Sequence, residues 1–113
     1  MTRAADVLTR GLMNQRPDGV LEIEAKDGVV TISGDLDMGT VGELAQLLEQ
    51  LEGTIVLNLE EVTFLDSSGL QGMVDAHQAA RDRGDDLILR RPSPPVCRVL
   101  EMTDLNGVFI IET

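Results

Sequence analysis

Residues 64–72, FLDSSGLQG, bring a carboxylate, two adjacent hydroxyls and a glycine together at the end of an apolar run, TIVLNLEEVT. Four roles fit that group: a nucleophile, a phosphate cradle, a site that receives phosphate, or a helix cap with no further duty. A serine nucleophile needs a base within hydrogen-bond reach, about 3 Å. The only histidine, His77, follows Ser67 by ten residues on what reads as one helix. At a rise of about 1.5 Å per residue the two lie on the order of 15 Å apart. No Gly-x-Ser-x-Gly elbow is present either. His77 falls on an apolar stripe, where a structural role at the edge of the core is the simpler reading.

Other chemistries fail on residue count. Neither the P-loop signature nor the Gly-x-Gly-x-x-Gly fingerprint occurs. One cysteine, Cys97, and one histidine cannot complete a zinc site, and burial in a helix is the default for that thiol. The stretch DLDMGT supplies Asp35 and Asp37 but not the remaining ligands of a calcium loop. Asp35, Asp37 and Asp66 remain as carboxylates for a magnesium ion, which normally also takes substrate phosphates. No metal and no cofactor are expected. Ser68-Gly69-Leu70-Gln71 fits a capping box, so Ser68 is expected to tie off helix backbone donors. Ser67 then precedes the cap, in a loop at the carboxyl end of a central strand, the edge where α/β sheets carry functional groups. An Asp-Ser-Ser run is also ordinary turn chemistry. The residues alone leave Ser67 with both readings.

The elements that must hold this group can be read from periodicity. VLEIEA alternates, with Leu21, Ile23 and Ala25 on one face. KDG is a hairpin turn leading into VVTISG. Residues 35–53 read as a helix with Thr40 as N-cap and Glu43 completing its capping box. Val41, Leu44, Ala45, Leu48 and Leu51 form the expected buried stripe, and Gly53 the stop. TIVLNL looks like a strand buried on both faces. Residues 69–84 form a second helix with Leu70, Met73, Val74 and His77 inward and Gly84 as its stop. DLILRR is a further buried strand. Residues 92–107 give a third helix with Ser93 as cap, prolines in its first turn and Val96, Val99 and Leu100 inward. Asn106-Gly107 ends it, and VFIIE is the last strand. The order β-β-α-β-α-β-α-β predicts an α/β fold: a mixed sheet with an antiparallel opening hairpin, then parallel strands joined by right-handed crossovers, with helices packed against it. Residues 1–18 read as an N-terminal arm or short helix, and 19–113 as one domain.

Composition narrows the partners. Twenty Asp and Glu against nine Lys and Arg give a net charge of −11, which opposes nucleic acid and anionic membrane surfaces. Two Phe and no Trp or Tyr offer little for base stacking. The single cysteine fits a reducing compartment. Nothing approaches the roughly 20 apolar residues of a membrane helix, and the N-terminus lacks a signal-peptide core. A cytoplasmic protein is expected.

Together, VVTISGDLDMGT, LNLEEVTFLDSSGL and the closing SPPVCRVLEMTDLNGVF resemble the STAS domain of bacterial anti-sigma factor antagonists over about residues 20–112. The resemblance implies a non-enzymatic protein that binds an anti-sigma factor serine kinase and so frees a sigma factor. It implies that the kinase ends the binding by phosphorylating the first serine of the motif, Ser67, and that a serine phosphatase restores it. Asp37 and Asp66 are then the acidic neighbours, and Ser68 and Gly69 complete the motif. The expected partner surface is the Ser67 loop and the flank of the next helix, with Asp35, Gln71, Met73, Asp75 and Gln78 as candidates. Core packing is the favoured reading for Met73. A STAS module of another system, such as a lipid-transport complex or stress-sensing assembly, is the alternative. A nucleotide-binding domain using Asp35, Asp37 and Asp66 is a third reading.

Overall fold

The structure, a computed structural model, describes residues 21–113. The expected arm at 1–18 lies outside the described residues. Within them the order is β1 (Leu21–Lys26), β2 (Val29–Leu36), α1 (Val41–Glu49), β3 (Ile55–Leu65), α2 (Ser67–Asp82), β4 (Leu87–Arg90), α3 (Pro94–Met102) and β5 (Ile110–Glu112). The five strands form one sheet in sequence order. β1 and β2 are antiparallel, and β2-β3, β3-β4 and β4-β5 are parallel. The mixed sheet read from the element order is therefore present.

The opening hairpin closes through Asp27 and Gly28, both at positive φ (55° and 81°), the geometry whose twist matches the flanking strands. Burial along the sheet is one-sided. Val30, Leu57 and Leu89 are register partners and all are fully buried. The next partners, Val29, Val56 and Ile88, are only half-buried. The central strands thus depart from burial on both faces.

Two helix ends differ from the periodicity. α1 stops at Glu49, and Gly53, at φ 81°, reverses the chain four residues later. Ala45 is exposed rather than part of the buried stripe. α3 stops at Met102, and Asp104 (φ 62°), not Asn106-Gly107, takes the left-handed position. The Leu105 amide donates to Leu100 O at 3.0 Å and that of Asp104 to Glu101 O at 3.3 Å, which closes the end as a Schellman motif. Gly84 closes α2 in the same way.

β3 carries the irregularity that matters for the site. While β2 advances from Thr31 to Ser33, β3 advances from Asn58 to Glu61; while β2 advances from Gly34 to Asp35, β3 advances from Val62 to Phe64. Each step leaves one extra residue on β3, a bulge. Alternation fails at both places: Glu60 and Glu61 are both exposed, as are Thr63 and Phe64.

Candidate functional site: the amino end of α2

β2 and β3 end side by side, with Leu36 opposite Leu65. The next residues on β3's side are Asp66, the N-cap of α2, and Ser67, its first residue. Asp66 has extended backbone, and its Oδ1 accepts a hydrogen bond from the Gly69 amide at 2.9 Å. The expected division of labour is thereby corrected. Asp66, not Ser68, caps the helix, and Ser67 is inside its first turn rather than in a preceding loop. Aspartate and serine are equally good caps. The choice falls on Asp66 because strand pairing holds the chain extended as far as Leu65. Gln71 does not close a capping box; its Nε2 donates to Asp75 Oδ1 at 2.9 Å.

Neither serine hydroxyl has a hydrogen-bond partner among the described residues. Ser67 is exposed and Ser68 half-buried. Gly69 is there for space. A Cβ at this position would stand 2.3 Å from Leu36 O and 2.8 Å from a Leu65 methyl, so only glycine lets the helix start against the ends of β2 and β3.

The other carboxylates of the motif stand near the end of β2 (Asp35) and in the β2–α1 turn (Asp37). Thr63 Oγ1 donates to Asp35 Oδ1 at 2.9 Å. Asp37 Oδ1 accepts from the Gly39 amide at 2.9 Å. Thr40 stands at the N-cap of α1, but its side chain does not cap the helix. Fully buried, its hydroxyl donates to Asp35 O at 2.8 Å and accepts from the Asp37 amide at 2.9 Å. It staples the turn instead. Asp66 ties the two regions together, its Oδ2 accepting from the Met38 amide at 3.3 Å. Among the described residues no three His, Cys, Asp or Glu side chains are grouped to hold a metal ion.

Met73 is fully buried and so cannot touch a partner, because the helical spacing that aligns it with Leu70 also turns it inward. Gln71, Asp75 and Gln78 are exposed, and Asp35 is half-buried. Gln78 Nε2 donates to Asp82 Oδ1 at 3.0 Å. His77 packs edge-on against Phe109, ring centroids 5.3 Å apart, as a residue at the core edge should. Sequence reasoning passed over Met38 and Phe64, which are exposed beside Asp66. No periodic signal marks a loop methionine, and only the bulge reverses the direction of Phe64.

Among the described residues no helix is long and apolar enough to cross a membrane. A protein-family model described as "Mlab, STAS domain" matches residues 20–112. The anti-sigma-B factor antagonist of Staphylococcus aureus is 35% identical over 84 residues, covering 71% of this chain and 78% of its own. A crystal structure of an anti-sigma factor antagonist from Mycobacterium paratuberculosis is similar with a TM-score of 0.66 and 27% identity, covering 87% of this chain and 89% of that one. The anti-sigma factor antagonist SpoIIAA in its unphosphorylated form is similar with a TM-score of 0.63 and 25% identity, covering 83% and 89%. With the match running through β1 to β5 and through the Asp66–Gly69 turn, the chain belongs to the STAS domain family, among its anti-sigma factor antagonists.

Proposed function

We propose that this protein binds an anti-sigma factor serine kinase in the cytoplasm, releasing the sigma factor, and that phosphorylation of Ser67 ends the binding. A serine phosphatase restores it. The protein is the substrate and ligand of those enzymes and performs no catalysis itself. The observation that carries this reading is the state of Ser67: exposed, first in α2, with a hydroxyl that has no hydrogen-bond partner among the described residues while Asp66 does the capping. The known relatives support it through their names as anti-sigma factor antagonists, one of them described by its phosphorylation state.

The electrostatics fit a switch that spares the fold. Phosphate adds about −1.5 to −2 charge at neutral pH. At a helix N-terminus the dipole favours that charge by about 0.3–1 kcal/mol, while the adjacent Asp66 carboxylate opposes it. The larger effect falls on the complex. A dianion at the contact must be desolvated or meet its own sign, and like charges across an interface cost several kcal/mol. A penalty of about 4 kcal/mol weakens binding roughly a thousandfold.

The test is to incubate the protein with ATP and the anti-sigma factor serine kinases encoded in the same genome, then map phosphoryl gain by mass spectrometry. Gain at Ser67, abolished by Ser67→Ala, is expected. Undiminished modification of Ser67→Ala overturns the assignment.

A further inference from the structure

Six large apolar side chains are exposed among the described residues: Met38, Phe64, Met102, Val108, Ile110 and Ile111. Scattered apolar exposure is normal and by itself means nothing. Four of the six, Met102, Val108, Ile110 and Ile111, lie from the end of α3 through the following turn into β5. Met38 and Phe64 differ in that the backbone is arranged to hold them outward.

Strict alternation from the buried Val62 would turn Thr63 out, Phe64 in and Leu65 out. The bulge at this point inverts the last two. Leu65 is 5% exposed and Phe64 48%, so the larger ring faces solvent and the smaller side chain fills the core. Bulges re-aim side chains in this way beside functional sites. Met38, 76% exposed, stands at the apex of the β2–α1 turn. Its amide is held by Asp66 Oδ2 and the following amide by Asp37 Oδ1, and the buried Thr40 hydroxyl fixes the turn from below. Both residues adjoin Asp66, next to Ser67: Met38 through its hydrogen bond, Phe64 by two positions in sequence.

We propose that Met38 and Phe64 are the apolar anchors with which this protein grips the anti-sigma factor, and that the partner's matching surface is an apolar pocket rimmed by lysine or arginine. The proposal rests on the function proposed above and names the contact that function requires. A cationic rim follows from the carboxylates of Asp35, Asp37 and Asp66 around the pair and from the net charge of −11. A second copy is a poor occupant, because a two-fold contact through this patch would set the same carboxylates against one another. An anionic lipid surface is opposed by the same charge. Anchors of this kind dominate binding when the rim around them excludes water, and methionine adapts to the pocket it meets. A phosphate on Ser67 would then stand at the margin of an apolar contact, where its desolvation is most costly.

The experiment measures binding of purified anti-sigma factor serine kinases from the same genome to the full chain and to Met38→Gln, Phe64→Gln, Phe64→Leu and Met102→Gln. Met38→Gln and Phe64→Gln should each weaken binding about tenfold or more, with unchanged urea midpoints. Phe64→Leu should recover most of the loss. Met102→Gln, equally exposed at the far end of α3, should bind as the parent does. Parent-like binding by both glutamine variants overturns the anchors while leaving the Ser67 switch standing. A binding loss that tracks a fall in unfolding midpoint, or a dimer that Met38→Gln dissolves, also overturns them. If the parent binds none of the kinases, the anchors and the proposed function fall together.

Discussion

Two helices of this protein start beside a serine, Ser67 as the first residue of α2 and Ser93 as the N-cap of α3, and the two serines live differently. At α3, Ser93 is 5% exposed and its hydroxyl donates to Val62 O at 2.6 Å. The expected capping role is therefore corrected: Ser93 occupies the N-cap position without a side-chain cap bond, because β3 outruns β4 and leaves a carbonyl to be satisfied. Pro94 and Pro95 follow it and remove amides that would otherwise need partners. At α2, capping falls to Asp66, and Ser67 and Ser68 keep hydroxyls that the described structure does not use. A hydroxyl available for modification is one the fold has no need of. Residue type does not separate the two serines; their surroundings do.

The largest effect should come from charging the free serine. Stoichiometric phosphorylation of Ser67 should weaken kinase binding roughly a thousandfold, read by titration calorimetry, with little change in thermal midpoint. Ser67→Asp should bind more weakly than Ser67→Ala. Equal binding by those two variants would remove the switch from this end of the molecule.

Next comes the space beneath it. Gly69→Ala drives a methyl into Leu36 O and Leu65 and should cost about 1–3 kcal/mol in urea unfolding. Gly42, whose Cβ would meet nothing within 4 Å, should accept alanine without loss. The contrast between the serines is tested directly by Ser93→Ala, which leaves the carbonyl of the buried Val62 without its donor and should cost about 1–3 kcal/mol. Ser67→Ala should change stability by no more than about 0.5 kcal/mol. A larger penalty at Ser67 than at Ser93 would invert the comparison. The smallest clear effect belongs to the cap. Asp66→Ala should cost about 1 kcal/mol and, by releasing the Met38 amide, speed hydrogen exchange at that residue, whereas Asp66→Asn should retain much of the cap.

Much of this is legible in the sequence alone. Hydrophobic periods of two and 3.6 separate strands from helices, because side-chain direction repeats with the backbone. Asp27-Gly28 announces the hairpin through its tolerance of positive φ. The inward stripes at Leu44 and Leu48, at Leu70 and Met73, and at Val96 and Leu100 all face the core. Exclusion of a serine-histidine pair needed only helix geometry. The absence of catalytic and nucleotide motifs, with the family pattern, pointed to Ser67.

The details that make a site depended on contacts between segments far apart in the chain. Aspartate, serine and threonine are all competent caps, so which one caps is settled by where the sheet releases the chain: after Leu65 for α2, while Thr40 and Ser93 are drawn to carbonyls 5 and 31 residues away. Gly69 is a turn residue by composition and a steric necessity only once Leu36 O lies beneath it. Phe64, in phase with the buried Val62 under strict alternation, faces solvent because β3 carries one residue more than β2 across from it. Local sequence determined the elements, since those follow from each residue's own neighbours, and the family resemblance, not the residues alone, named the candidate serine. Tertiary structure decided which hydroxyl is spare and which apolar side chains are offered beside it, since those follow from strand register and close approach.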